Sequence, residues 1–316
     1  MSGPTGQHFL PRQAYLRFFC SPANPGKIYL YRRGSSPVLT NTFNVGKTRH
    51  LYSFSDDSGR LNHKIETSVL APLDTSIQPV IERLNKGDGA VQLDRAEAET
   101  LIVFLAFQLV RTPAFRDHLY RFDSAMASTV RTAVKPGEIK DFLAREMGLI
   151  PPDDEIERYW ESVSQGLIER ISPTEYWLAH MSKLARSFVD AIELKSPQIL
   201  RTPYEYFITS DFPIVLREGM NLTESDLFFP VGSHAALYLS ARPRQKLGSA
   251  LDLPVRRISS QQARTLNKSV VRWAENYLYA AVERMGLCQL FDRTRPPERM
   301  RAPSAPRTTD RASISS

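Results

Sequence analysis

An α+β fold is the architecture this sequence predicts: a mixed or antiparallel sheet drawn from β segments near both ends, packed against a central helical region. Two observations lead there. Runs of β-branched and aromatic residues broken by turn residues cluster before residue 60 and again after residue 203, whereas apolar residues at three- and four-residue spacing dominate between about 61 and 196. With 316 residues, 42% of them hydrophobic, the chain also holds enough apolar surface for a sizeable core without disulfides or structural metal. The expected organisation is one globular domain over residues 1–291 and a disordered basic tail over 292–316.

In chain order, Phe9–Phe19 reads as a short helix interrupted early by Pro11. Lys27–Arg32 and Pro37–Phe43 flank the turn Arg33-Gly34-Ser35-Ser36, a hairpin signature, and Leu51–Phe54 adds a short strand. From Ile65 to Leu84 the helical spacing runs past Pro72 and Pro79, which allows two helices or one kinked helix. Residues 94–111 give the clearest helix: Asp94 caps it and Glu97 completes a capping-box spacing. Amphipathic stretches follow near 114–132, 136–147 and 154–170, and Ser172-Pro173-Thr174-Glu175 starts a helix running to about Leu194. Tyr204–Thr209, Ile214–Leu216, Asp226–Pro230 and Ala236–Ser240 return to strand. A last helix is expected over Ser259–Glu283 and a last strand over Leu287–Phe291.

Several functions lose their diagnostic residues. Cys20 and Cys288 stand alone, without CxxC or zinc spacing, which fits a reducing, cytoplasmic compartment. No apolar run approaches a membrane span and the first residues carry no signal-peptide pattern, so no membrane association is expected. Of the +7 net charge, the tail supplies six arginines against Asp292, Glu298 and Asp310, which permits weak electrostatic contact with nucleic acid or an acidic partner. Asn44-Val45-Gly46-Lys47-Thr48 looks like the end of a phosphate-binding loop, but Asn41 occupies the first glycine position and a strand follows. There is no HExxH, GxSxG or GxGxxG.

Five blocks of residues together carry a resemblance. They are the opening Gln7–Phe19, Leu51-Tyr52-Ser53-Phe54 leading to Ile65-Glu66, Gln108-Leu109-Val110-Arg111-Thr112-Pro113, Thr209-Ser210-Asp211-Phe212-Pro213, and the last helix with Leu266-Asn267. The chain resembles in these the bacterial family named domain of unknown function 4238, from Gln7 to about Phe291. Where that family's acidic helix usually shows a second glutamate, eight residues after Glu66, this chain has Asp74. The resemblance implies a fold and a candidate site, and no activity, cofactor or metal comes with it.

Gln108 and Arg111 lie three apart on an apolar helix, so at least one points inward, and a buried guanidinium needs an anionic partner that Glu66 or Asp74 could supply. Ser210 and Asp211 occupy a strand-end turn, while His8 and Arg17 flank the first apolar segment. One expectation is a hydrolase-like pocket directed at a phosphodiester or nucleic acid. In it His8, Glu66 and Asp211 are catalytic, as general acid, general base or metal ligand, and Arg17, Gln108, Arg111 and Ser210 bind the ligand. The alternative is a non-catalytic ligand-binding or regulatory module in which the same residues form a structural network. No spacing identifies a metal or a cofactor.

Overall fold

The structure, a computed structural model, describes residues 6–55, 61–87, 89–133, 136–147, 150–164, 172–203, 206–217, 222–241 and 250–294. The N-terminal part holds β1 (Gly6–His8), β2 (Lys27–Arg32), β3 (Val38–Asn41), β4 (Lys47–Arg49), β5 (Phe54–Ser55) and β6 (Leu61–Asn62). The middle holds α1 (Ala71–Asn85), β7 (Val91–Leu93), α2 (Arg95–Val110), α3 (Pro113–Ala133), α4 (Pro136–Met147), α5 (Asp153–Ser164) and α6 (Pro173–Glu193). Then come β8 (Ser196–Arg201), β9 (Thr209–Ser210), β10 (Val215–Leu216), β11 (Leu227–Gly232), β12 (Ala235–Ser240), β13 (Leu251–Leu253), β14 (Val255–Arg257), α7 (Ser260–Trp273), β15 (Tyr277–Ala280) and α8 (Met285–Arg293).

The fold is α+β, and the two ends of the chain do pair. The β2–β3 hairpin lies antiparallel to β15, with Leu30 opposite Tyr279, and β15 lies antiparallel to β9, giving the order β3-β2-β15-β9. The larger sheet contains no N-terminal strand, however: its order is β10-β11-β12-β8-β14, antiparallel except for β8 with β14. A single shared sheet is therefore corrected to two principal sheets. They are joined through Tyr15, whose ring stacks on Phe229 of β11 at 5.0 Å while its hydroxyl meets Thr209 Oγ1 of β9 at 2.6 Å.

The strongest sequence signals reappear where expected. Asp94 and Glu97 form the capping box of α2, and Ser172 and Glu175 that of α6, with Pro173 in the first turn where its missing N–H costs nothing. Helices α2 and α6 pack together, and Trp177 Nε1 donates to the Val110 carbonyl at 2.7 Å. Pro72 is likewise absorbed in the first turn of α1, Pro79 lies inside that helix, and the single π-helical turn Glu66–Leu70 leads into it.

Other elements differ, each for a local reason. Phe9–Phe19 is helical only in the 3-10 turn Leu16–Phe19, and its start is tied to the turn before β4 by the Phe9 and Leu10 N–H groups, which donate to the Gly46 carbonyl. The helix expected to Glu283 stops at Trp273: the Asp211 carboxylate accepts the N–H groups of Glu275, Asn276 and Tyr277 and turns the chain into β15. Leu287–Phe291 belongs to helix α8, whose buried Leu287 and Phe291 are one turn apart. Of Leu51–Phe54 only Phe54 is in a strand.

Helix α8 also moves the boundary of the folded body past residue 291. Arg33 donates to the carbonyls of Ala274 and Glu275 and to those of Phe291 and Thr294, and its guanidinium lies 3.9 Å from the Phe291 ring centroid. One cation thus serves the carbonyl ends of both α7 and α8, where helix dipoles favour positive charge. The expected tail beyond Thr294 lies outside the described residues. Arg33→Ala should cost about 2–3 kcal/mol in denaturant melts. Truncation after Thr294 should leave the melting temperature unchanged, whereas truncation before Met285 should lower it.

Candidate functional site

Arg111 is a charged group with no exposure to solvent, buried at the C-terminal cap of α2. Its Nη1 and Nη2 meet Asp74 Oδ1 and Oδ2 at 2.7 and 3.3 Å, and its Nε donates to the Phe9 carbonyl at 3.0 Å. Gln108, one turn earlier, donates to that same carbonyl at 2.9 Å. Tyr52 sends its hydroxyl to the Arg111 carbonyl at 2.8 Å, and its own N–H donates to Gln7 Oε1 at 2.6 Å. Gln7 continues to Ser53 and His63, which are themselves 2.9 Å apart. The segment after β1, the Tyr52 turn, α1 and α2 are thereby held at one point. Gly46 (φ +63°) makes room for this: a Cβ there would sit 2.9 Å from Leu10 Cβ, just where its carbonyl receives the Phe9 and Leu10 N–H groups.

Three of the residues singled out by the sequence carry a buried acceptor without a partner among the described residues: Glu66 Oε2, Gln108 Oε1 and His8 Nδ1. Glu66 opens the π-helical turn. Burial pushes its carboxyl up to about 7, with Arg111 pulling down and Asp74 pushing further up. His8 is held neutral, down to about 4, by burial and then by the nearby charges of Lys47, Arg12 and Arg111, while its ring bonds to the Val45 carbonyl. Because Asp74 matches the charge of Arg111 and Glu66 adds a second carboxylate, Arg111 itself has no charge to spare for an anion; the cations unmatched among the described residues, Lys47 and Arg12, lie on the His8 side. On another side of the same turn, Phe54, Ile65, Val69 and Leu178 line an apolar groove of about 400 Å³; Glu66 is not among its walls.

The other nominated residues are engaged elsewhere. Arg17 forms an ion pair with Glu82 and lies 4.7 Å over the Phe18 ring. Ser210 makes a local turn, its hydroxyl donating to the Phe212 carbonyl at 2.6 Å and accepting the Phe212 N–H at 3.2 Å. The Asp211 carboxylate is spent on the three N–H groups that end α7, and burial presses it up to about 7 against their pull. So Gln108 and Arg111 share the Phe9 carbonyl, and Glu66 and His8 both feel the Arg111 charge, while none of the hydrogen bonds or ion pairs seen for Arg17, Ser210 and Asp211 reaches Arg111. Among the described residues, no three His, Cys, Asp or Glu side chains come together as a metal site. Sequence reasoning missed Gln7, His63 and the Phe9 carbonyl. Gln7 and His63 carry no periodic signal, and a backbone carbonyl carries none at all.

Residues 6–283 match the model of a family described as a protein of unknown function (DUF4238). No curated protein and no solved structure shows a match to the chain.

Arg111→Ala should lower stability by about 3–5 kcal/mol, because the Asp74 carboxylate loses its cation and the buried Phe9 carbonyl loses one of its two side-chain donors. Arg111→Lys should recover only part of that in the same urea titration, since an ammonium cannot span both carboxylate oxygens and the Phe9 carbonyl.

Proposed function

The chain belongs to the DUF4238 family of proteins of unknown function, so its activity has to be argued from the chemistry of its own site, and we propose that it is a binding module for a small ligand that donates hydrogen bonds. The carrying observation is the trio of unpaired acceptors, Glu66 Oε2, Gln108 Oε1 and His8 Nδ1, around a guanidinium already matched by Asp74. A buried acceptor left unmet costs free energy, so such groups call for a donor. An amine, amide or guanidine supplies N–H donors and complements the excess carboxylate; a phosphate brings mainly further acceptors and negative charge. In this reading Arg111 sets the geometry and Glu66, Gln108 and His8 recognise the ligand.

A second reading has one observation behind it. Glu66 titrates near neutrality, the property a general acid or base needs, and neutral His8 can accept a hydrogen bond. A hydrolase-like activity on a phosphodiester or nucleic acid would then fall to these two groups, with Asp211 serving as a structural anchor. Under this reading Glu66→Gln abolishes turnover while the fold persists, in assays with divalent metal, generic phosphodiesters and nucleic acids.

The binding reading is tested by thermal shift at pH 8 against amines, guanidines and amides on one side and inorganic phosphate and dimethyl phosphate on the other. Donor-bearing ligands should raise the melting temperature of the wild type and not of Glu66→Gln; a response confined to the phosphates would overturn the reading. The carboxyl itself gives a further expectation. A folded value of about 7 lies above the ordinary one of 4.5, so the folded state binds the extra proton, and Glu66 withdraws stability as pH rises from about 4.5 to 7. Relative to wild type, Glu66→Gln should therefore gain on the order of 1 kcal/mol between pH 4.5 and 8, after allowance for solvent screening. A constant difference across that range would show that Glu66 is solvated.

A further inference from the structure

A second feature lies just outside this site, on the ribbon formed by β1 and β4. Asn41 accepts the Phe43 N–H at 2.8 Å and fixes the 3-10 turn Thr42–Asn44, which leaves the Phe43 ring 54% exposed. Lys47 Nζ stands 4.1 Å and the Arg12 guanidinium 5.5 Å from that ring's centroid, and the His8 ring meets it edge-on at 6.3 Å. Arg49, two residues beyond Lys47, projects to the same face of β4 and is exposed. Arg12, Lys47 and Arg49 make no ion pair with a carboxylate among the described residues.

We propose that this face, with Phe43 flanked by Arg12, Lys47 and Arg49, is a binding surface for single-stranded nucleic acid. Three neighbouring cations without counter-charge raise the local potential and favour a polyanion, whose binding releases condensed counterions. An exposed aromatic ring offers a face on which an unpaired base can stack, as single-strand binders use, while the flexible cations that cover it at rest can swing onto the flanking phosphates. An acidic peptide would use the cations and leave the ring idle. A membrane would require an apolar patch around Phe43, and its exposed neighbours Asn41, Asn44 and Thr48 are polar. A duplex keeps its bases stacked on one another and cannot offer one to the ring. This surface does not depend on Glu66 or Gln108, so the small-ligand reading can fail without it, and the reverse.

The experiment is fluorescence anisotropy of a short labelled oligothymidylate titrated with the full-length chain at low and moderate salt, beside a duplex of equal length. The single strand should bind more tightly than the duplex. Phe43→Ala should weaken it by roughly tenfold or more. Lys47→Ala combined with Arg49→Ala should weaken it further and reduce the slope of log affinity against log salt by about 0.7 for each phosphate no longer neutralised. These positions are at the surface, so unchanged melting temperatures should certify the variants as folded. Binding that all variants retain would assign the affinity to the arginine-rich segment after residue 292 and overturn the proposal. So would absence of binding, a duplex preference, or tighter association with anionic lipid vesicles than with the oligonucleotide.

Discussion

A guanidinium with no access to water dominates the energetics of the N-terminal half. Burying Arg111 is expensive unless its charge and its N–H groups are matched, and the match comes from Asp74 on α1 and the Phe9 carbonyl after β1. Those two partners are 37 and 102 residues away in sequence. The requirement to satisfy one side chain therefore dictates where α1 and the N-terminal segment sit on α2. Tyr52 then closes on the Arg111 carbonyl, and Trp177 on that of Val110, satisfying two acceptors that the end of helix α2 would otherwise leave open.

The same arrangement separates groups tied to neighbours from groups that keep an acceptor unmet. Arg111, Ser210 and Asp211 are each tied to named neighbours, whereas Glu66, Gln108 and His8 each keep one acceptor unmet. Glu66 is placed by the π-helical turn, an irregularity that redirects a side chain at the entrance of a helix and is frequent at functional positions. His8 stands between two environments. It feels Arg111 on the inner side and Lys47 and Arg12 on the outer, and all three keep its ring neutral along with burial. The C-terminal half uses a parallel device of opposite sign: Asp211 ends α7 by accepting three N–H groups, and Arg33 serves the carbonyls at the ends of α7 and α8.

Read alone, the sequence determined the fold class, the capped helices α2 and α6, the N-terminal hairpin and that at least one of Gln108 and Arg111 points inward. Each of these rests on local information: a capping box within four residues, a turn between β-branched runs, an apolar helical face. It also narrowed the partner of Arg111 to Glu66 or Asp74. Only the tertiary structure chose Asp74, because the choice depends on how α1 docks on α2 past Pro72. It decided as well that Tyr277–Ala280 is a strand, although the apolar spacing continues the pattern of α7, since Asp211 arrives from 64 residues earlier to claim the N–H groups there. And it kept Asp211 out of the Arg111 cluster, while bringing Phe43 beside Arg12 and Lys47. Residue types and spacings identify groups able to make such contacts; which contacts form depends on long-range satisfaction of buried polar atoms, a property of the packed chain and of no single segment.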